Sequence, residues 1–199
     1  IMQSVNKFIG HFINGQQYVD NGTKIDLLNP CNGKLIGIIS SATDKTIDKA
    51  INCSEIAFEK WRKIPISKRT GVLFKYKDLL ERNIEKIAKL ISEDLGKVKD
   101  DAIGEVRRGI ENVEYACAIG ETIKGEYNKN ISSSIDSWSE FEPLGVTLGI
   151  TPFNFPAMVP LWMFPLSIAA GNSFILKPSE KDPLATMFLA ELFHEAGLP

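Results

Sequence analysis

The sequence predicts an α/β protein built on a parallel sheet, and three observations carry the prediction. Residues 143–199 alternate strand-like and helix-like segments: LGVTLGIT, an apolar helix over 156–170, SFILK, and a helical stretch over 183–196. Strands alternating with helices pack as a parallel sheet with right-handed crossovers. Residues 43–124 carry helical periodicity, and residues 8–40 read as short strands. Finally, Asn154, Lys177 and Glu180 fall at the ends of the two parallel strands, the edge where open α/β sheets bind ligands.

The elements follow in order. Over residues 8–40, FIGHFING, QQYVD, KIDLLNP and KLIGIIS predict a small meander outside the main core, with turns at Asn14-Gly15, Asn21-Gly22 and Asn32-Gly33. Thr43 or Asp44 can cap a first helix running to about Lys63, with Ile47, Ala50, Ile51, Ile56, Ala57 and Phe58 as its apolar stripe. Pro65 opens a second, with Val72, Leu73, Tyr76, Leu79 and Leu80 at helical spacings. Asn83 can cap a third, with Ile84, Ile87, Ala88, Ile91 and Leu95 buried and Gly96 ending it. A fourth is predicted from Lys99 to Lys124, with Ile103, Val106, Ile110, Val113, Ala116 and Cys117 as its stripe.

Residues 125–142, GEYNKNISSSIDSWSEFE, lose that periodicity and predict two antiparallel strands. Such an arm is too polar for its own core and is expected to lie on something else, another subunit included. The chain therefore divides into residues 1–124, the arm at 125–142, and the βαβα unit at 143–199. Two parallel strands alone leave long unpaired edges, so the chain is expected to be part of a larger fold.

Composition narrows the classes. The chain has 199 residues, 44% of them hydrophobic and 24% charged, with a net charge of −2. That balance offers no electrostatic case for nucleic acid. Cys31, Cys53 and Cys117 are odd in number and widely spaced, and with His11 and His194 they make no metal-binding pattern. A reducing compartment is the simplest reading: cytoplasm, or mitochondrial matrix in a eukaryote. The first 17 residues lack the basic and apolar regions of a secretory signal. The apolar run 155–171 is short for a membrane span and holds three prolines, which predicts a buried helix.

Four groups of residues could carry chemistry. Asn154 lies between Pro152 and Pro156, so its backbone is restricted and its amide aimed. A fixed amide donor beside a helix N-terminus suits an oxyanion hole; as a plain N-cap it would serve the helix at 156, and spacing alone favours the cap. Lys177 and Glu180 could donate to and accept from the hydroxyls of a ribose, or form a solvated loop. Neither GxGxxG nor a phosphate-binding GxxxxGK[ST] is present. Arg107 and Arg108 could grip an anionic substrate, or pair on the helix surface with Glu105 and Glu111. Phe153, Phe155, Trp162, Met163 and Phe164 could line an apolar tunnel or belong to the core.

Together these residues resemble the aldehyde dehydrogenase superfamily. The carriers are Pro143-x-Gly145-Val146 leading into Ile150-Thr151-Pro152-Phe153-Asn154-Phe155-Pro156, Gly171-Asn172 before Lys177-Pro178-Ser179-Glu180, and NPCNGKLIG at 29–37. GEVRRGIENVEYA at 104–116 and the segment 152–180 are most similar to the CoA-acylating branch that oxidises methylmalonate and malonate semialdehydes.

The resemblance implies the N-terminal part of a Rossmann-like NAD-binding domain with a β-hairpin oligomerisation arm, in a homodimer or homotetramer. It implies Asn154 as oxyanion donor and Thr151, Phe153, Lys177, Glu180 and Lys181 as NAD contacts. Arg108, with Arg107 as fallback, would bind the substrate carboxylate, and Phe155 would line the substrate site. NAD rather than NADP is expected, since the Glu180 charge would repel a 2′-phosphate.

In that family a cysteine thiolate adds to the aldehyde, hydride passes to NAD, and in this branch CoA takes the acyl group with loss of carbon dioxide. The products would be propionyl-CoA or acetyl-CoA. None of the three cysteines sits in the nucleophile's context, so the 199 residues alone are expected to be inactive. Two other readings stay open: a non-catalytic nucleotide-binding or oligomerisation module, and a CoA-independent aldehyde dehydrogenase.

Overall fold

The computed structural model describes residues 8–199, so the part of the signal-peptide reading that rests on residues 1–7 lies outside the described residues. Five strands come first: β1 (Phe8–Ile9), β2 (His11–Ile13), β3 (Gln16–Tyr18), β4 (Lys24–Leu28) and β5 (Leu35–Ser40). They do not form one meander. β5 lies between a parallel β1 and an antiparallel β4, while β2 and β3 make a separate hairpin. Asn14 and Gly15 close that hairpin with φ of 53° and 71°, the positive values that the tightest hairpin turns require. Asn21-Gly22 closes no hairpin, because β3 and β4 belong to different sheets.

Asp20 organises this stretch instead. Its carboxylate accepts from the Thr43 N–H at 2.7 Å, the Thr43 hydroxyl at 2.8 Å and the Thr46 hydroxyl at 2.5 Å. These bonds, the one from Thr46 foremost, hold its pKa well below the usual carboxylate range. Asp20 thereby serves the N-terminus of α1 (Asp44–Trp61). Thr43 occupies the N-cap position, but its side chain makes no cap hydrogen bond.

Three more predicted helices appear as α2 (Ile66–Arg82), α3 (Ile84–Asp94) and α4 (Lys99–Cys117). Their stripes are the core: Leu73, Tyr76 and Leu80 of α2, Ile87 and Ile91 of α3, and Val106 and Val113 of α4 are wholly buried in one cluster. Each such aliphatic residue contributes roughly 1.5–3 kcal/mol by leaving water.

Three expectations need correction. In α1, Ile47, Ile51 and Ile56 are exposed, since no described residue covers that face. Asn83 occupies the N-cap position of α3 as expected, but its side chain makes no cap hydrogen bond there; its amide donates to the Leu79 carbonyl and closes α2. The fourth helix stops at Cys117, where Ala118 leaves helical dihedrals, and a separate turn α5 (Ile119–Thr122) follows.

The arm forms as β6 (Tyr127–Ser132) paired antiparallel with β7 (Ile135–Trp138). Tyr127, Ile131 and Trp138 stand exposed on it. Beyond it, β8 (Val146–Ile150), α6 (Met158–Ala169), β9 (Ser173–Lys177) and α7 (Leu184–Glu195) make the expected unit. β8 and β9 are parallel, in register from Val146 opposite Ser173 to Ile150 opposite Lys177.

Helix α6 is buried through Leu161, Phe164 and Ile168, and α7 through Leu189 and Phe193. Gly109 lets α4 and α6 approach: a Cβ there would lie 2.5 Å from Leu161 Cδ1. Among the described residues, no helix is long and apolar enough to cross a membrane.

Candidate functional site

The site is built where β8 and β9 end together. Thr151, the residue after β8, is buried and donates its N–H to the Lys177 carbonyl at 3.1 Å. That bond prolongs the parallel ladder by one residue and sets where the turn 152–157 begins. The turn's far end is held by α7, whose Thr186 hydroxyl donates to the Pro156 carbonyl at 2.7 Å. Phe153 and Asn154 are exposed at its tip and Phe155 is half-buried.

The N-terminus of α6 is not capped from this turn. Glu105 of α4, only 3% exposed, accepts the N–H groups of Ala157 at 2.9 Å and Met158 at 3.2 Å. Its other oxygen takes the Lys97 ammonium at 2.5 Å. Lys97 also donates to the Asn154 carbonyl at 2.9 Å and lies 4.3 Å from the Phe155 ring centre. The cap reading of Asn154 is therefore overturned: its side-chain amide makes no hydrogen bond among the described residues. An exposed amide at a strand end can meet an outside acceptor.

Beyond β9, Lys177 and Glu180 form an ion pair at 3.0 Å, each about half exposed. Glu180 is held below the usual carboxylate range, first by its own backbone N–H and then by Lys177. Lys181 lies 4.7 Å from the Phe153 ring centre, which links the two loops. Thr151, Phe153, Asn154, Lys177, Glu180 and Lys181 thus share one sheet edge. The pair Lys177–Glu180 offers a donor and an acceptor side by side, which suits a vicinal diol.

Arg107 and Arg108 are exposed on α4 and make no ion pair among the described residues. The expected partner Glu105 is buried and engaged by Lys97. Arg108 lies one turn beyond Glu105 on the same helix. Of the three cysteines, Cys117 is buried on the α4 core face, and burial pushes its thiol up to about 11. Such a thiol is a poor source of thiolate. Among the described residues, no three His, Cys, Asp or Glu side chains come together as a metal site.

With this geometry in hand, the sequence pattern of the aldehyde dehydrogenase family matches residues 18–199. The chain belongs to that family. It is 58% identical over 189 residues to a malonate-semialdehyde dehydrogenase of Pseudomonas aeruginosa, a match covering 95% of this chain and 38% of the relative. The fold is shared with a methylmalonate-semialdehyde dehydrogenase of Oceanimonas doudoroffii at a TM-score of 0.95 and 52% identity, over 96% of this chain and 39% of that one. A Sinorhizobium meliloti structure complexed with NAD superposes with a TM-score of 0.96 at 40% identity, over 99% and 40% of the two chains. This aldehyde dehydrogenase chain thus spans about 40% of the length of the relatives it matches.

Sequence reasoning missed what four charged groups do in this aldehyde dehydrogenase: the buried Glu105, Asp94 and Asp182, and the partly buried Lys97. Asp94 accepts the Leu184 N–H at 3.0 Å, while both oxygens of Asp182 lack a partner among the described residues. Burial pushes each of the two carboxyls up to about 7. One signal was available for Glu105. It falls between Ala102 and Gly109, both on the apolar face of α4, where a carboxylate needs a reason.

Proposed function

We propose that this chain is part of an enzyme oxidising malonate or methylmalonate semialdehyde with NAD. In the finer form of the proposal, CoA accepts the acyl group with loss of carbon dioxide, giving acetyl-CoA or propionyl-CoA. One observation carries the reading: an Asn154 amide left without an internal partner at the edge that also bears the Lys177–Glu180 pair. The relatives' names support the substrate, and resemblance to the acylating branch supports CoA.

The residues present fit a dinucleotide. Lys177 would donate to a ribose hydroxyl and Glu180 would accept from one. Thr151 and Phe153 would flank the cofactor, with Lys181 beside them. NAD, when bound, would accept the hydride. Asn154 would donate its side-chain N–H to the oxygen that becomes negative when a thiolate adds to the aldehyde. Arg108 would face the substrate carboxylate, a role suited to its planar fork, and Phe155 would line the substrate site. The exposed β6–β7 arm would pair with a second subunit.

NADH formation from malonate semialdehyde by the full-length protein, with and without CoA, tests the proposal. CoA-dependent turnover is the expected result. CoA-independent turnover would shift the reading to a hydrolytic aldehyde dehydrogenase, and no turnover would leave a nucleotide-binding module. Residues 1–199 alone are expected to form no NADH, since none of their cysteines has the nucleophile's setting.

A further inference from the structure

We propose that Glu105 and Lys97 are positioning residues for the Asn154 amide. The inference rests on the oxyanion reading of Asn154.

A carboxylate buried on the core face of a helix is costly unless its oxygens are partnered. In Glu105 both are. One takes the N–H groups of Ala157 and Met158, and the other takes Lys97. Helix N-termini are ordinarily capped by a local Ser, Thr, Asp or Asn. Here the acceptor comes from 52 residues away. That leaves the local candidate, Asn154, free to present its amide outward.

Lys97 acts on Asn154 directly. Its ammonium holds the Asn154 carbonyl at 2.9 Å and covers the Phe155 ring, so the peptide plane after Asn154 is pinned. Glu105 pins the chain two residues further on. The turn is thus gripped at two points just after the residue whose side chain has to be aimed, its own carbonyl and the N–H groups of Ala157 and Met158, by one ion pair anchored in α4. A donor misplaced by about 1 Å can cost on the order of a hundredfold in rate.

The test uses the full-length protein. Lys97→Met is expected to lower kcat by roughly 10- to 100-fold while the KM for NAD stays within about threefold, and Lys97→Arg is expected to restore most of the loss. Glu105→Gln keeps an acceptor for the two N–H groups but loses the ion pair, so it should follow Lys97→Met. In an Asn154→Ala background, Lys97→Met should add little. Wild-type kcat in Lys97→Met, or its full effect on top of Asn154→Ala, would overturn the inference.

A wild type without turnover, or an Asn154→Ala enzyme as fast as wild type, would sink the oxyanion reading. The brace is then read from crystal structures alone. A 152–157 turn displaced in Lys97→Met supports it, and an unmoved turn overturns it.

Discussion

Asp94 Oδ2 accepts the N–H of Leu184 at 3.0 Å, which joins the end of α3 to the first turn of α7. Asp182, 1% exposed, lies just ahead of that turn with neither oxygen partnered among the described residues. Burial first, then the negative charge of Asp94 and less that of Glu105, raises Asp182 to about 7, against smaller opposing pulls from the nearby Ser179 side chain and from Lys97.

A pH dependence follows. A carboxyl raised in the folded state stabilises the fold fully below its unfolded value near 4, and that contribution is lost as pH rises through about 7. Asp182→Asn is therefore expected to raise Tm at pH 8 and leave it nearly unchanged at pH 4. The gain at pH 8 is on the order of 1–2 kcal/mol, or roughly 2–8 °C for a domain of this size. Thermal unfolding of both proteins at the two pH values measures it. A Tm gain equal at both would contradict the assignment.

Gly109 supplies a packing test. A Cβ at that position would meet Leu161 Cδ1 at 2.5 Å and Leu161 Cβ at 3.1 Å in the fully buried α4–α6 contact. Gly109→Ala should cost about 1–3 kcal/mol despite the better helix propensity of alanine. Leu161→Ala should then cost less in the Gly109→Ala background than in wild type, a coupling that urea unfolding of the single and double variants would reveal.

Removing Glu180 or Lys177 tests the cofactor edge. Each is expected to make one charge-assisted hydrogen bond to a ribose hydroxyl. Glu180→Ala or Lys177→Ala should weaken NAD binding roughly 10- to 100-fold without lowering Tm, since the pair is half exposed. Fluorescence titration with NAD reads the affinity. Unchanged binding in both variants would remove these residues from the site.

Asn154→Ala tests the donor itself. Loss of one oxyanion donor costs about 100- to 1000-fold in kcat. The affinity for NAD should hold, because Asn154 is not among the proposed nucleotide contacts. Steady-state kinetics of the full-length variant would separate the two quantities, and a parallel loss of NAD affinity would point to collapse of the turn instead.

Much of the fold was legible because its signals are local. The stripe Leu73, Tyr76, Leu80 repeats at helical spacing, and that face is buried. The alternation over 143–199 became the parallel pair β8–β9 with α6 and α7 beside it. Local signals failed where the competing partner was distant. Thr43, Asn83 and Asn154 all look like caps, and none of them caps its helix through its side chain. Asp20 and Glu105 took two of those roles from 23 and 52 residues away. The α1 stripe failed for another reason: periodicity says which face is apolar, not whether anything covers it.

By itself, then, the sequence determined the helices, the strands, the sheet edge and the identity of the residues set along it, because periodicity and turn chemistry act between near neighbours. Only the tertiary structure decided that Asn154 keeps its amide free. That outcome depends on a buried carboxylate on another helix reaching the α6 N-terminus first, and backbone donors go to whichever acceptor the packing brings within about 3 Å.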